Sequence, residues 1–223
     1  MRVGSLFSGI GGFDLGLERA GMSIEWQVEI DPYARRVLAK HWPHVPCYGD
    51  IRAIDWATVT PVDLLCGGFP CQDLSYAGKR AGLREGTRSG LWFEYLRSIR
   101  TLRPKYILVE NVPGLLDNHA LGRVLGDLAE SGYDAEWDCL PANAFGAAHR
   151  RDRIWLLAYT RGKPCNVWKF FKQNGFDSHE WWSDSQKWGI DRVKPALGTS
   201  LIPGLATSWK EVDTESRIPR MVD

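Results

Sequence analysis

Gly67-Gly68-Phe69-Pro70-Cys71-Gln72-Asp73-Leu74-Ser75 decides how this chain reads. It follows the apolar run Val62-Asp63-Leu64-Leu65-Cys66, which has the length and composition of a short buried strand. Two glycines let the backbone turn sharply and let a ligand approach closely. Pro70 fixes its own φ and biases Phe69 towards an extended shape. A cysteine just past a strand end sits where open α/β sheets bind their ligands. Cys66, inside the run, reads as a buried inert thiol. Cys71 lies in a polar, Gly/Pro-marked loop, and on this stretch alone it reads equally as a nucleophile or as an inert thiol.

Working towards the N-terminus, a strand from Arg2 to Phe7 runs into Ser8-Gly9-Ile10-Gly11-Gly12-Phe13 and then a helical pattern from Asp14 to Ala20 stopped by Gly21. Strand, glycine turn and helix form the first half of a nucleotide-type site, although a tight turn alone would look similar. Ser23 to Ile30 alternates as a strand, with Ile24, Trp26, Val28 and Ile30 on one face and Glu25, Gln27 and Glu29 on the other. Glu29 stands at its end, where such sheets place an acceptor for ribose hydroxyls. Asp31-Pro32 opens the next helix, to about Trp42, with Asp as N-cap and Pro in the first turn. A third strand, Val45 to Tyr48, ends near Asp50-Ile51, and Asp50 reads equally as an amine acceptor or as a turn residue.

Towards the C-terminus, residues 76–90 read as a Gly-, Arg- and Ser-rich loop carrying Lys79, Arg80, Arg84 and Arg88 against Glu85. A helix follows from Leu91 to Leu102, then a continuous apolar strand from Lys105 to Val109 that pushes out Glu110-Asn111-Val112. A carboxylate at a buried strand end is a candidate acid or hydrogen-bond donor. A helical pattern from Ala120 to Leu128, a strand from Asp134 to Leu140 and a strand from Ile154 to Tyr159 complete the alternation. His149-Arg150-Arg151-Asp152-Arg153 precedes the last strand, and its arginines can clamp an anion or a polar base edge, or simply form surface ion pairs. After residue 160 the βα alternation stops. Residues 161–223 hold ten Lys/Arg, eight Asp/Glu and five tryptophans, and read as a separate loop-rich lobe whose tryptophans mostly pack it.

The whole chain has 223 residues and a formal net charge of +1, so any basic surface is local. No apolar run approaches the roughly 20 residues a membrane helix needs. The five cysteines (47, 66, 71, 139 and 165) show neither a Cys-x-x-Cys pair nor zinc spacing, which points away from a metal site or a disulfide framework and towards the cytoplasm.

These residues together resemble the cytosine-5 DNA methyltransferases, in the family's motif order over residues 3 to 160. Phe7-Ser8-Gly9-Ile10-Gly11-Gly12 resembles the S-adenosylmethionine loop, Glu29 and Asp50-Ile51 the ribose and adenine contacts, Gly68-Phe69-Pro70-Cys71-Gln72 the nucleophile motif, and Glu110-Asn111-Val112 the catalytic Glu-Asn-Val. His149-x-Arg151-x-Arg153 resembles the Gln-x-Arg-x-Arg motif with His in the first place. The resemblance implies a Rossmann-like methyltransferase sheet with helices on both faces (1–160) and a small target-recognition region (161–223). It implies catalysis by Cys71, Glu110, Arg151 and Arg153. It implies cofactor contacts from Phe7, Gly9, Ile10, Gly11, Gly12, Glu29, Ile30, Asp50, Ile51, Phe69, Pro70 and Leu91, and double-stranded DNA contacts from Gln72, Ser75, Lys79, Arg80, Arg84 and Arg88. The tRNA-directed relatives tend to carry a Cys-Phe-Thr signature, which is absent here. The family's closing Gly-Asn motif is not found either, so a complementary C-terminal subunit, or a catalytically incomplete binding partner, is the competing expectation to an active monomer.

Overall fold

The computed structural model describes residues 1–70, 90–116 and 120–162. Cys71, the basic loop and nearly all of the 161–223 region lie outside the described residues. Among the described residues, seven strands form one sheet: β1 (Arg2–Leu6), β2 (Ser23–Val28), β3 (Cys47–Tyr48), β4 (Leu64–Gly67), β5 (Tyr106–Asn111), β6 (Tyr133–Pro141) and β7 (Asp152–Thr160). Their order is β3-β2-β1-β4-β5-β7-β6. β1 pairs in parallel with β2 and β4, β2 with β3, and β4 with β5. β7 runs antiparallel to both β5 and β6.

Four helices, α1 (Gly12–Arg19), α2 (Pro32–His41), α3 (Leu91–Leu102) and α4 (Ala120–Glu130), connect the strands. α3 buries Trp92, Tyr95, Leu96, Ile99 and Leu102, a spacing of three and four that forms one helical face. That face and α4's Leu121, Val124 and Leu128 join Leu6, Leu65, Ile107, Val109 and Leu156 of the strands in the larger core. The alternate strand residues Val3, Ile24, Leu64 and Cys66 form a second core against Phe13 and Leu17 of α1. Helices therefore cover both faces. α2 starts as its sequence directs: Asp31 Oδ1 accepts the Ala34 N–H at 2.8 Å, and Pro32 occupies the first turn.

Several boundaries differ from the sequence reading. β1 stops at Leu6 because Phe7 adopts a left-handed φ of 52°. β3 is two residues long rather than four, and β2 ends at Val28 rather than Ile30. The alternation of β2 does not separate a wet face from a dry one. Gln27 is fully buried, while Ile30, beyond the strand, is 63% exposed. β5 extends through Glu110 and Asn111, and β7 begins at Asp152, so Glu110 and Arg153 lie within paired strands.

Parallel pairing lines up the C-terminal ends of β1, β2, β4 and β5 at one end of the sheet. Because β7 is antiparallel to β5, its N-terminal end arrives there too. β1 is the switch point, where the strand order turns from β2 and β3 to β4 and β5, the position at which open α/β sheets bind ligands.

Candidate active site

The first half of the site is the loop after β1. Phe7, Gly9 and Gly11 all have positive φ (52°, 55° and 91°). For Phe7 this is a strained conformation of the kind that clusters at functional sites. The Ser8 N–H donates to Val28 O at 3.1 Å and the Gly11 N–H to Ser8 O at 2.9 Å. The Glu29 carboxylate closes the turn from the neighbouring strand: Oε2 accepts the Gly9 N–H at 2.7 Å and Oε1 the Asp31 N–H at 2.8 Å. A Cβ on Gly9 or Gly12 would meet no atom within 4 Å, whereas one on Gly11 would strike the Trp42 indole. Ile10 in this loop is 63% exposed, as is Ile30 immediately after Glu29. The loop thus offers open space, exposed apolar side chains and a carboxylate fixed at a strand end, a set that suits a nucleoside-bearing cofactor.

Asp50 caps the short 3-10 turn Ile51–Ala53, accepting the Arg52 N–H at 3.0 Å and pairing with the Arg52 guanidinium at 2.7 Å. These hydrogen bonds hold the Asp50 carboxyl below its ordinary range. The Ile51 side chain is buried in the larger core. Arg97 of α3, unforeseen in the sequence, donates to Ile51 O and Ile54 O at 3.0 Å each and ties the turn to the helix. Leu91 is the first residue of α3 and packs against the same core.

The second half gathers around Glu110. β5 sets Glu110 opposite Trp155, so the two-residue period puts Arg153 on the same face. Arg153 Nε meets Glu110 Oε1 at 2.8 Å, and both side chains are about three-quarters buried (24% and 27% exposed). Burial pushes the Glu110 carboxyl above its ordinary range, and the charges of Arg153 and Arg151 oppose the rise. Arg151 is exposed and carries a left-handed φ of 39°. Arg150 instead pairs with Asp152 at 2.9 Å, and His149 is exposed.

The strand β4 brings the Gly67–Pro70 turn to the same place. A Cβ on Gly68 would lie 2.7 Å from Glu110 Oε2. Asn111 Nδ2 donates to Phe69 O at 3.2 Å, while Asn111 Oδ1 accepts the Val112 N–H at 2.9 Å. The Phe69 ring is buried against Trp92, with centroids 5.4 Å apart. Trp92 is fixed in turn by a 2.8 Å hydrogen bond from Nε1 to Asp127 Oδ2. Pro70, half-buried, is the last described residue before the gap. The structure thus brings together Phe7, Gly9, Gly11 and Glu29 in one half, and Glu110, Arg153 and Phe69 in the other. Cys71, Gln72, Ser75, Lys79, Arg80, Arg84 and Arg88 lie outside the described residues. Among the described residues, no group of three or more His, Cys, Asp or Glu could hold a metal ion, and no helix is long and apolar enough to cross a membrane.

A family model described as C-5 cytosine-specific DNA methylase matches residues 1–196. The chain is 42% identical over 174 residues to the type II methyltransferase M2.BsuMI of Bacillus subtilis, covering 75% of this chain and 44% of that protein. It is 36% identical over 157 residues to the type II methyltransferase M.MspI of Moraxella, covering 69% and 37%. The chain therefore spans less than half the length of these relatives. Among solved structures, a DNA modification methyltransferase described as encoded within an E. coli prophage superposes with a TM-score of 0.61 at 26% identity, covering 72% of this chain and 47% of that one. The S. pombe Dnmt2 methyltransferase gives 0.58 at 25%, covering 74% and 52%.

Proposed function

The chain belongs to the C-5 cytosine-specific DNA methylase family, and from that premise we propose that it methylates carbon 5 of a flipped-out cytosine in DNA through a covalent adduct with Cys71. The observation that carries this reading is the partly buried Glu110–Arg153 pair at 2.8 Å, set at the same end of the sheet as the Glu29-closed glycine loop. S-adenosylmethionine, held by the loop from Phe7 to Gly12 and by Glu29, supplies an electrophilic sulfonium methyl when bound. Glu29, fixed by two backbone N–H donors, suits ribose hydroxyls, and the exposed Ile10 and Ile30 suit the apolar faces of such a molecule.

Carbon 5 of cytosine is a poor nucleophile. When the Cys71 thiolate bonds to carbon 6, the ring double-bond pair becomes enamine-like and carbon 5 becomes nucleophilic. Charge builds on ring nitrogen 3 and oxygen 2 as the bond forms. Glu110, whose burial favours the protonated form, gives a proton or hydrogen bond to nitrogen 3. Arg153 serves oxygen 2: its Nε holds Glu110 and its Nη1 donates to Asp152 O at 2.8 Å, which leaves guanidinium donors for the ring. After methylation, the proton on carbon 5 leaves to water, the carbon–sulfur electron pair returns to the thiolate, the ring double bond reforms, and any proton taken up at nitrogen 3 returns to Glu110. The target carbon is inside the duplex, so the base must leave the stack. Lys79, Arg80, Arg84 and Arg88, with Ser75, are assigned to the DNA backbone, Gln72 to a DNA contact, and residues 161–223 to target recognition.

Transfer of labelled methyl from S-adenosylmethionine to unmethylated DNA tests the reading, with Cys71→Ala as control. DNA bearing fluorine at carbon 5 tests the adduct, because no proton can then leave. A denaturant-stable protein–DNA species is expected with the native chain and not with Cys71→Ala. Undiminished transfer by Cys71→Ala would sink the mechanism.

A further inference from the structure

A fully buried carboxylate that the chemistry above does not use lies beneath the glycine loop. Asp14, in the first turn of α1, has no exposed surface. It accepts from Ser5 Oγ at 3.0 Å and from Gln27 Nε2 at 2.8 Å. Ser5, Ser8 and Gln27 are themselves buried. Ser8 Oγ donates towards Ser5 Oγ at 2.9 Å and Ser5 O at 3.1 Å. A directed chain therefore runs from Ser8, inside the loop, through Ser5 on β1 to one carboxylate oxygen. The other oxygen takes Gln27, two residues before Glu29 on β2.

The two strands that Asp14 ties together carry the two parts of the cofactor cradle. β1 carries the loop, and β2 carries the Glu29 carboxylate that receives the Gly9 N–H at 2.7 Å. Ser8 is also joined to β2 through its N–H to Val28 O at 3.1 Å. Burial pushes the Asp14 carboxyl above its ordinary range, and the hydrogen bonds from Gln27 and Ser5 oppose this. An apolar residue at this fully buried position would not carry that desolvation cost. The carboxylate contributes what an apolar residue cannot: a fixed register between the loop and the Glu29 strand.

We infer that Asp14 is a positioning residue for cofactor binding, holding the Ser8–Gly12 loop against Glu29 through Ser5, Ser8 and Gln27. The inference rests on the cofactor reading of that loop. It differs from a role in the core alone because its effect is local and falls on cofactor affinity rather than on turnover.

Two measurements on the full chain test it, with Asp14→Asn and Ser8→Ala beside the native protein. Asn keeps the shape of Asp14 but cannot accept from both Ser5 and Gln27, and Ser8→Ala removes only the loop end of the chain. Amide hydrogen exchange without ligand is expected to quicken about ten-fold or more at Gly9 and Gly11 in both variants, with the Ile107 and Val109 amides of β5 unchanged. Calorimetry with S-adenosylhomocysteine is expected to show about ten-fold weaker binding in both, and KM for S-adenosylmethionine is expected to rise while kcat at saturation stays within two-fold. Uniform quickening across the sheet, or unchanged exchange and affinity, overturns the inference. If both variants show the local quickening but the native chain binds no S-adenosylhomocysteine, the cofactor reading fails instead, and Asp14 is left as a brace of the loop with no cofactor role.

Discussion

Gly68→Ala tests whether the Gly67–Pro70 turn and Glu110 are set against each other as the geometry indicates. No positive φ requires glycine at this position; space does. The added Cβ would stand 2.7 Å from Glu110 Oε2 and 3.3 Å from Glu110 O. Ordinary contact begins near 3.4 Å, so the carboxylate oxygen must retreat by about 0.7 Å (3.4 less 2.7). It is not free to do so cheaply, because Oε1 of the same carboxylate is held by Arg153 at 2.8 Å. Either that pair stretches or Arg153 follows, and in both cases the acid leaves its place relative to the ring. Misplacement of about 1 Å at a reacting centre costs on the order of 100-fold in rate. A shift of about 0.7 Å should therefore lower kcat roughly 10- to 100-fold, with a stability loss of about 1–2 kcal/mol from overpacking. Affinity for S-adenosylhomocysteine should fall far less than kcat, since Glu29 and the glycine loop lie on other strands. Gly9→Ala supplies the opposite split. There a Cβ meets nothing within 4 Å, but φ is 55°, so the substitution strains the backbone by about 1 kcal/mol and should weaken cofactor binding instead. The assays are methyl transfer at saturating cofactor and calorimetry. A Gly68→Ala chain with kcat within two-fold of native would refute the placement of Glu110 against this loop.

Glu110→Gln should lower methyl transfer by about 100- to 1,000-fold. In the native chain the rate should fall as pH rises through the raised pKa of Glu110, because the proton for ring nitrogen 3 is lost; the Gln variant, which cannot titrate, should lack that limb. A pH–rate profile with the limb intact would assign it to another group. Trp92→Phe deletes the 2.8 Å hydrogen bond to the buried Asp127 carboxylate beneath Phe69. It should cost about 1–2 kcal/mol, read as a lower urea midpoint at constant m. Asp63 accepts from Lys105 Nζ at 2.8 Å and from the Arg2 N–H at 3.0 Å, and these bonds hold its carboxyl at about 2 against an ordinary 3.8. A folded pKa below the unfolded one means that its stabilisation is complete above about pH 3.8 and disappears as pH falls towards 2. Asp63→Asn should flatten the unfolding midpoint over that window and nowhere else.

The elements most legible in the sequence were those with strong local signals. α3 begins at Leu91 and ends at Leu102 as its period and Pro104 indicate, and Asp31-Pro32 marks the start of α2. What local pattern does not reveal depends on contacts between distant segments. Nothing local in residues 152–160 shows that β7 runs against β5, yet that direction is what brings Arg153 to Glu110. Alternation in β2 suggests a polar face at Gln27, but Asp14, thirteen residues earlier, supplies a partner that lets the amide be buried. A carboxylate in the first turn of a glycine-rich helix reads as an ordinary helix-start preference, and only its burial marks it as different. Phe7 is similar: as an apolar residue it extends the β1 pattern, whereas the turn it starts needs a left-handed backbone.

The separation of the two carboxylates argues for a division of labour. In the order β2-β1-β4-β5, Glu29 follows the first of these strands and Glu110 lies in the last. Three strand spacings of roughly 4.8 Å put their strand ends about 14 Å apart, too far for both to act on one atom or share a proton. Their surroundings differ accordingly. Glu29 receives two backbone N–H groups, which fix its carboxylate at the strand end and suit it as an acceptor of hydroxyls. Glu110 is pushed towards the protonated form by burial and held in place by Arg153, an arrangement that suits a donor to a ring nitrogen. The gap between them is spanned by the ends of β1 and β4, which carry the glycine loop and the Gly67–Pro70 turn leading to Cys71. The proposed reaction joins a nucleoside-bearing methyl donor to a pyrimidine, and these two environments suit one ligand each. A single catalytic carboxylate at the switch point would serve only one of the two ligands.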